Sequence, residues 1–267
     1  ASMQQVFDLI SNASHSDAPV IIFGESGTGK ELVAKAIHDT GTRRKKPFVK
    51  VNCAALTESL LESELFGHVK GAFTGADNPK KGLCEQAHGG SLLLDEIGEL
   101  SKQMQVKLLR VLQDNEIRPV GDTKSTRIDV RIIAATSKNL EAEVEKGNFR
   151  EDLFYRLYVI PIMLPTLKER KADIPYLVSH FIEQFADKKN VSRTKFSDDA
   201  MAILRGEAHE ATDYFREHAG PRLAERFRPI VDKQLDSVGA TRDFRQLAGQ
   251  AQSLPFVKLP SLDLTEY

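Results

Sequence analysis

The stretch Gly24-Glu25-Ser26-Gly27-Thr28-Gly29-Lys30-Glu31 restricts the possible folds more than any other part of this chain. It follows an apolar run, Val20-Ile21-Ile22-Phe23, that reads as a buried strand of a parallel sheet. It precedes Leu32 to His38, where apolar residues recur at helical spacing. A strand, a glycine-rich loop, a lysine and a helix form the context of a phosphate-binding loop. The glycines let the backbone turn its N–H groups inward, the helix N-terminus adds partial positive charge, and Lys30 supplies a point charge for the outer phosphates. Glu31 stands where Ser or Thr usually helps to bind Mg²⁺, which leaves Thr28 and Asp95 as nearby oxygen donors.

The rest of the chain agrees with an α/β domain. Met3 to Ile10 is amphipathic, and Pro47 to Asn52 reads as the next strand, with the Asn52 amide on the nucleotide side. Thr57 to Phe66 reads as a helix with Thr57 as N-cap and Leu60, Leu61, Leu65 and Phe66 on its apolar side. Ser91 to Glu96 reads as a buried strand ending in two carboxylates. Asp95 is placed to bind Mg²⁺ and Glu96 to polarise a water, the alternative being a pair at a helix N-terminus, since Ser101 to Leu112 is helical in pattern. Glu116 to Val130 reads as a hairpin turning at Gly121-Asp122. Arg131 to Thr136 is another central strand, whose last residue sits beside the γ-phosphate if the sheet is parallel. Phe149 to Leu157 reads as a helix carrying Arg150 and Arg156, for which an ion-pair role is the ordinary alternative. Val159 to Ile162 is an edge strand because of Pro161. Helices follow over Arg170 to Asp187 and Ser197 to Leu204.

Gly71-Ala72-Phe73-Thr74-Gly75-Ala76 is too rich in glycine for a helix or central strand. It reads as a mobile loop with Phe73 at its tip, which is either a partner contact or a tucked-in phenylalanine. Arg43-Arg44-Lys45-Lys46 reads as a solvated loop in preference to a nucleic-acid contact, and a net charge of −1 gives no global basic field. Two cysteines without CxxC spacing fit reduced thiols in the cytoplasm, and no apolar run spans a bilayer or forms a signal peptide. Ala1-Ser2-Met3 reads as a fragment boundary.

From about residue 3 to 204 the chain closely resembles the central AAA+ domain of bacterial sigma-54-dependent transcriptional activators. The residues that carry the resemblance are the loop at 24–31, Glu64-Leu65-Phe66-Gly67-His68, the Gly-Ala-Phe-Thr-Gly-Ala stretch at 71–76, Leu94-Asp95-Glu96 and Phe149 to Leu153. Glu31 is ordinary in that family. The resemblance implies an ATP-hydrolysing AAA+ P-loop fold with a parallel central sheet flanked by helices. It implies hexameric rings with ATP and Mg²⁺ bound between subunits. Gly24 to Glu31 would bind nucleotide, and Asp95 and Glu96 would serve metal and water. Asn52 would couple Glu96 to the nucleotide state, and Thr136 would sense the γ-phosphate. Arg150 and Arg156 would act in trans, a contribution of about three to five orders of magnitude in rate. Gly71 to Ala76 would touch sigma-54 and so remodel the RNA polymerase holoenzyme at a promoter. The hairpin matches that family's second surface loop.

The resemblance ends near residue 200. The family's helical lid carries a Trp-Pro-Gly-Asn-(Val/Ile)-Arg-Glu-Leu signature whose arginine is a second nucleotide sensor, and this chain has no tryptophan. Asp243-Phe244-Arg245-Gln246-Leu247 is only an echo of it. Residues 198–267 instead resemble part of an uncharacterised family of small helical bacterial proteins, through Thr212 to Arg216, Phe227 to Val231, Ser237 to Arg242 and Leu259 to Leu264. Leu223 to Leu235 has helical spacing, and the end from Ser253 reads as extended. The expected organisation is an ATPase core over 1–196 and an atypical helical segment over 197–267. No receiver or helix-turn-helix pattern is visible, so specific DNA binding is not expected. The competing expectation is an ATP-binding module that assembles or hydrolyses poorly because the lid and its arginine are missing.

Overall fold

A computed structural model describes residues 3–189 together with Met201 and Leu204. The elements run α1 (Met3–Ser14), β1 (Val20–Phe23), α2 (Lys30–Thr40), β2 (Phe48–Asn52), α3 (Glu58–Phe66), β3 (Gly67–His68), β4 (Lys80–Lys81), α4 (Leu83–Gln86), β5 (Ser91–Asp95), a 3₁₀ turn (Ile97–Glu99), α5 (Lys102–Asp114), β6 (Glu116–Ile117), β7 (Thr126–Arg127), β8 (Arg131–Thr136), α6 (Leu140–Glu145), α7 (Glu151–Leu157) and β9 (Ile160–Met163). A second compact unit begins at Leu167. Its described part is a kinked 3₁₀ segment, Leu167–Asp173, followed by α8 (Ile174–Lys189) with Pro175 in its first turn. The expected helices over 197–204 and 223–235 and the extended end lie outside the described residues, apart from Met201 and Leu204, which are helical.

The main sheet has five strands in the order β2-β5-β8-β1-β9, all pairs parallel. The three central strands, β5, β8 and β1, have apolar interiors, Leu92 to Leu94, Ile132 to Ala135 and Val20 to Phe23, because both of their faces are covered. Side chains alternate between the two cores. Ile21, Leu92, Leu94, Ile132 and Ala134 point to the side of α3, α5 and α7, where they join Leu61, Leu65, Met104, Leu108 and Leu153. Val20, Ile22, Leu93, Ile133 and Ala135 point to the other side and meet Val6 and Ile10 of α1 and Val33 and Ile37 of α2. β9 is the edge strand that Pro161 requires.

Four local expectations are revised. Thr57 occupies the N-cap position of α3, but its hydroxyl makes no capping bond there; its carbonyl accepts from Leu61 N–H. Leu60 is 46% exposed, because the buried stripe of α3 is Leu61, Ser63, Leu65 and Phe66. β5 stops at Asp95, since Glu96 turns into the left-handed region (φ 52°, ψ 51°) and leads the 3₁₀ turn. The loop at 71–76 is closed at its base by β3–β4 pairing, Gly67 opposite Lys81 and His68 opposite Lys80.

Candidate functional site

Because the strands are parallel, their C-terminal ends meet along one edge. The register sets Phe23 opposite Thr136 and Asn52 opposite Asp95. The loop at 24–31, Asn52, Asp95, Glu96 and Thr136 therefore converge on the edge where ligands of open α/β sheets bind. The loop leaves β1 through Gly24, whose N–H donates to the Thr136 carbonyl (3.2 Å). A side chain on Gly24 would lie 2.8 Å from the Thr28 hydroxyl and 3.0 Å from Leu164 Cβ. Gly27 (φ 84°) and Gly29 (φ 100°) take the left-handed backbone that only glycine adopts without strain, and a Cβ on Gly27 would meet no atom within 4 Å.

Lys30 opens α2 and is 7% exposed. Its Nζ donates to the carbonyls of Gly24 (2.9 Å) and Glu25 (3.3 Å) and lies 3.2 Å from Glu96 Oε1. The other Glu96 oxygen accepts from Ser137 N–H (3.1 Å) and Ser137 Oγ (2.9 Å). Burial alone would raise the Glu96 carboxyl, but the two Ser137 bonds and Lys30 outweigh it and hold it below the usual carboxylate range. Asp95 moves the other way, raised by burial and by the Glu96 charge against the pull of Glu96 N–H and Lys30. The two neighbouring carboxylates are thereby pushed apart in acidity, a pattern found where two acids have different tasks.

Asn52 Nδ2 approaches Asp95 Oδ2 at 3.5 Å, so the amide faces the carboxylate pair through Asp95 rather than Glu96. Thr136 is fully buried, and its Oγ1 accepts from Lys138 N–H (3.0 Å). Glu31 points away from the lysine and pairs with Lys50 on β2 (2.6 Å). The Cys53 thiol, behind Asp95, is pushed up to about 12 by burial and the two carboxylates, which makes it inert.

Arg150 and Arg156 are engaged elsewhere. Arg150 grips Asp152 through Nε (3.0 Å) and a terminal nitrogen (2.6 Å). Arg156 donates twice to the Leu112 carbonyl at the end of α5 (3.2 and 3.0 Å). Sequence reasoning missed two residues here. Ser137 is invisible as a partner of Glu96 because it sits just past a strand end. Gln105 hides in the apolar pattern of α5; buried, it accepts from Arg150 N–H (2.8 Å) and donates to the carbonyls of Leu100 (2.8 Å) and Asn148 (3.0 Å).

The loop at 71–76 is folded on itself, with Gly71 N–H donating to the Ala76 carbonyl (2.8 Å) and Ala76 N–H to the Phe73 carbonyl (3.0 Å). Gly71 (φ 80°) and Gly75 (φ 97°) make that turn possible. Phe73 stays 46% exposed and Thr74 is exposed. The hairpin supports the loop from the side. Val69 N–H donates to the Val120 carbonyl (3.1 Å) and Val120 N–H to the Gly67 carbonyl (2.8 Å), while Gly121 lies so close to Ala72 that a Cβ would come within 2.8 Å.

The donor set also bears on a metal. Asp95 and the Thr28 hydroxyl offer oxygen only, as a hard cation such as Mg²⁺ prefers. Among the described residues no group of three or more His, Cys, Asp or Glu could hold a metal ion. Among them, too, no helix is long and apolar enough to cross a membrane.

Comparison with known proteins gives the same picture. A sequence family described as the sigma-54 interaction domain matches residues 1–163. An AAA+ ATPase lid domain matches residues 168–209, and a protein of unknown function (DUF4197) matches residues 189–267. A lid domain, expected to be missing, is therefore matched over residues 168–209, although the chain has no tryptophan. The chain is 52% identical over 203 residues to a Nif-specific regulatory protein of Herbaspirillum seropedicae, covering 76% of this chain and 38% of that protein. It is 52% identical over 203 residues to the transcriptional regulatory protein ZraR of Escherichia coli K12, covering 76% and 46%. The crystal structure of NtrX from Brucella abortus in complex with ATP matches with a TM-score of 0.72 at 42% identity, covering 78% of this chain and 45% of that one. The chain spans less than half the length of each of these three proteins.

Proposed function

The chain belongs to the sigma-54 interaction domain family, with the AAA+ P-loop NTPase fold, and from that premise we propose that it is the ATP-hydrolysing motor of a sigma-54-dependent transcription activator in the cytoplasm. The observation that carries the proposal is the Lys30–Glu96 pair beside the glycine loop at the C-terminal edge of the sheet. Lys30 spends its three donors on two loop carbonyls and one carboxylate, all of which phosphate oxygens replace when the β- and γ-phosphates enter. Residues Gly24 to Glu31 cradle the nucleotide. Glu96, kept ionised, orients the attacking water. The water oxygen bonds to the γ-phosphorus as the bridging bond to the β-phosphate breaks, Glu96 receives the proton, and ADP and phosphate leave. Asp95, with Thr28 beside the loop, would hold Mg²⁺, which offsets phosphate charge when bound. Thr136 and Asn52 report the state of the site. Arg150 and Arg156 serve the nucleotide of the neighbouring subunit in a hexameric ring. The exposed Phe73 and Thr74 engage sigma-54 in the RNA polymerase holoenzyme, and their movement with hydrolysis opens the promoter.

One observation favours a second reading. The match to the protein of unknown function overlaps the lid match from residue 189, and the signature carrying the second sensor arginine is absent. The chain then binds ATP but assembles or hydrolyses poorly. The experiment that decides is the steady-state ATPase rate per subunit against protein concentration. A rate that rises with concentration supports the motor; a flat, near-zero rate with ATP still bound supports the second reading.

A further inference from the structure

The glycine-rich loop has one rigid neighbour that neither its own sequence nor the nucleotide site accounts for. The His68 ring is fixed at both nitrogens: Nε2 lies 3.1 Å from the Asn78 carbonyl and Nδ1 lies 2.8 Å from Ser63 Oγ. A carbonyl only accepts, so Nε2 donates; in the neutral ring Nδ1 then accepts the Ser63 hydroxyl proton. Ser63 is buried in α3, and the His68 backbone is paired with Lys80 and bridged to Val120. His68 is therefore a post: its ring joins α3 to the Asn78 arm of the loop, and its backbone meets Lys80 and, in the hairpin, Val120. The Phe73 ring stands on it edge-on, with centroids 5.0 Å apart at 65°. Such aromatic pairs are favourable in this geometry.

We propose that His68 is a positioning residue that docks Phe73 at the base of the loop and sets how readily the loop presents it to a protein partner. The reading that the loop contacts sigma-54 underlies the functional half of this proposal; the docking half stands on the geometry alone. The backbone bonds of Gly71 and Ala76 close the turn, and the placement of the Phe73 ring on that turn is decided by what the ring meets. That contact is His68, held from a buried helix residue.

The test places a reporter at the ring. Phe73→Trp is compared in the His68 background and with His68→Gln, which keeps an amide donor for the Asn78 carbonyl but has no ring. The expected result is lower tryptophan anisotropy and red-shifted emission with His68→Gln, at unchanged circular dichroism and thermal midpoint. Equal anisotropy in both backgrounds overturns the docking. Binding of purified sigma-54 is then measured in a double-mutant cycle. His68→Gln is expected to change affinity roughly twofold to tenfold, the range of an aromatic pair, and to have no effect once Phe73 is Ala. An equal effect in the Phe73→Ala background overturns action through Phe73. If the parent chain binds no sigma-54, the partner reading fails while the anisotropy result still decides the docking.

Discussion

Lys30 Nζ stands 3.2 Å from Glu96 Oε1, so the cation that opens α2 and the carboxylate that follows β5 neutralise one another. Ser137 holds the second oxygen of the same carboxylate. Under the proposed mechanism, phosphate would take the place of Glu96 at Lys30 while Ser137 keeps the carboxylate in position.

Lys30→Ala is expected to weaken binding of a fluorescent ATP analogue by at least about a hundredfold, the scale of losing charge-assisted bonds of roughly 3 kcal/mol in total. Because α2 buries Val33, Ala34 and Ile37 independently of Lys30, the circular dichroism spectrum should not change. Unaltered ATP affinity would refute the assignment of the phosphate loop.

Thr74→Ala alters an exposed hydroxyl at the loop tip, with no described bond to the strand edge. ATP turnover should remain within about twofold, since surface changes of this kind cost little, while open-complex formation on a sigma-54 promoter should be lost. Promoter opening retained at the parent level would remove the loop from the proposed mechanism.

The central strands and the edge along which the site assembles were legible in the sequence because each rests on a contiguous signal, such as Val20 to Phe23 before the glycines. What was not legible joins residues far apart in the chain. Ser137 meets Glu96 only because β8 lies beside β5, and Asn52 meets Asp95 only through the β2–β5 register. Leu60 fits the apolar pattern of α3 equally well inside or outside, and only the rotation of the packed helix decides that it is exposed. The left-handed turn at Glu96 has no signature, since the residue types that favour such a turn are absent there.

His38 makes stability depend on pH. It is 3% exposed, with Nδ1 3.0 Å from Ser91 Oγ and its ring 5.1 Å from that of Phe48. Burial lowers its pKa from the usual 6.5; Lys35 and Arg131 act in the same direction, while Asp39 and the Lys46 backbone oppose. The folded state therefore refuses a proton that the unfolded chain takes up, and stability present above about 6.5 is lost as pH falls through and below that value. Between pH 7.5 and 5.5 the parent chain should lose a few degrees more of thermal midpoint than His38→Gln, because about 1 kcal/mol moves the midpoint by roughly 2–4 °C in a domain of this size. Parallel curves for the two chains would show that His38 does not titrate on unfolding.

Arg156 separates a structural from a catalytic arginine. Within the chain it caps the Leu112 carbonyl at the C-terminal end of α5, where a cation meets the negative end of the helix. If that is its whole role, Arg156→Ala costs about 1 kcal/mol of stability and leaves ATP turnover per assembled subunit intact. If it also reaches a neighbour's nucleotide, turnover falls by about three to five orders of magnitude with ATP affinity nearly unchanged. Mixing distinguishes the two outcomes without relying on the size of the loss. A Lys30→Ala subunit still carries Arg156, and an Arg156→Ala subunit still carries Lys30. In mixed rings some interfaces pair an intact phosphate loop with an intact arginine. Two variants that are each inactive should therefore recover measurable ATPase activity together, rising with protein concentration. No recovery, in mixtures shown by sedimentation to co-assemble, would mean that Arg156 does not act across the interface.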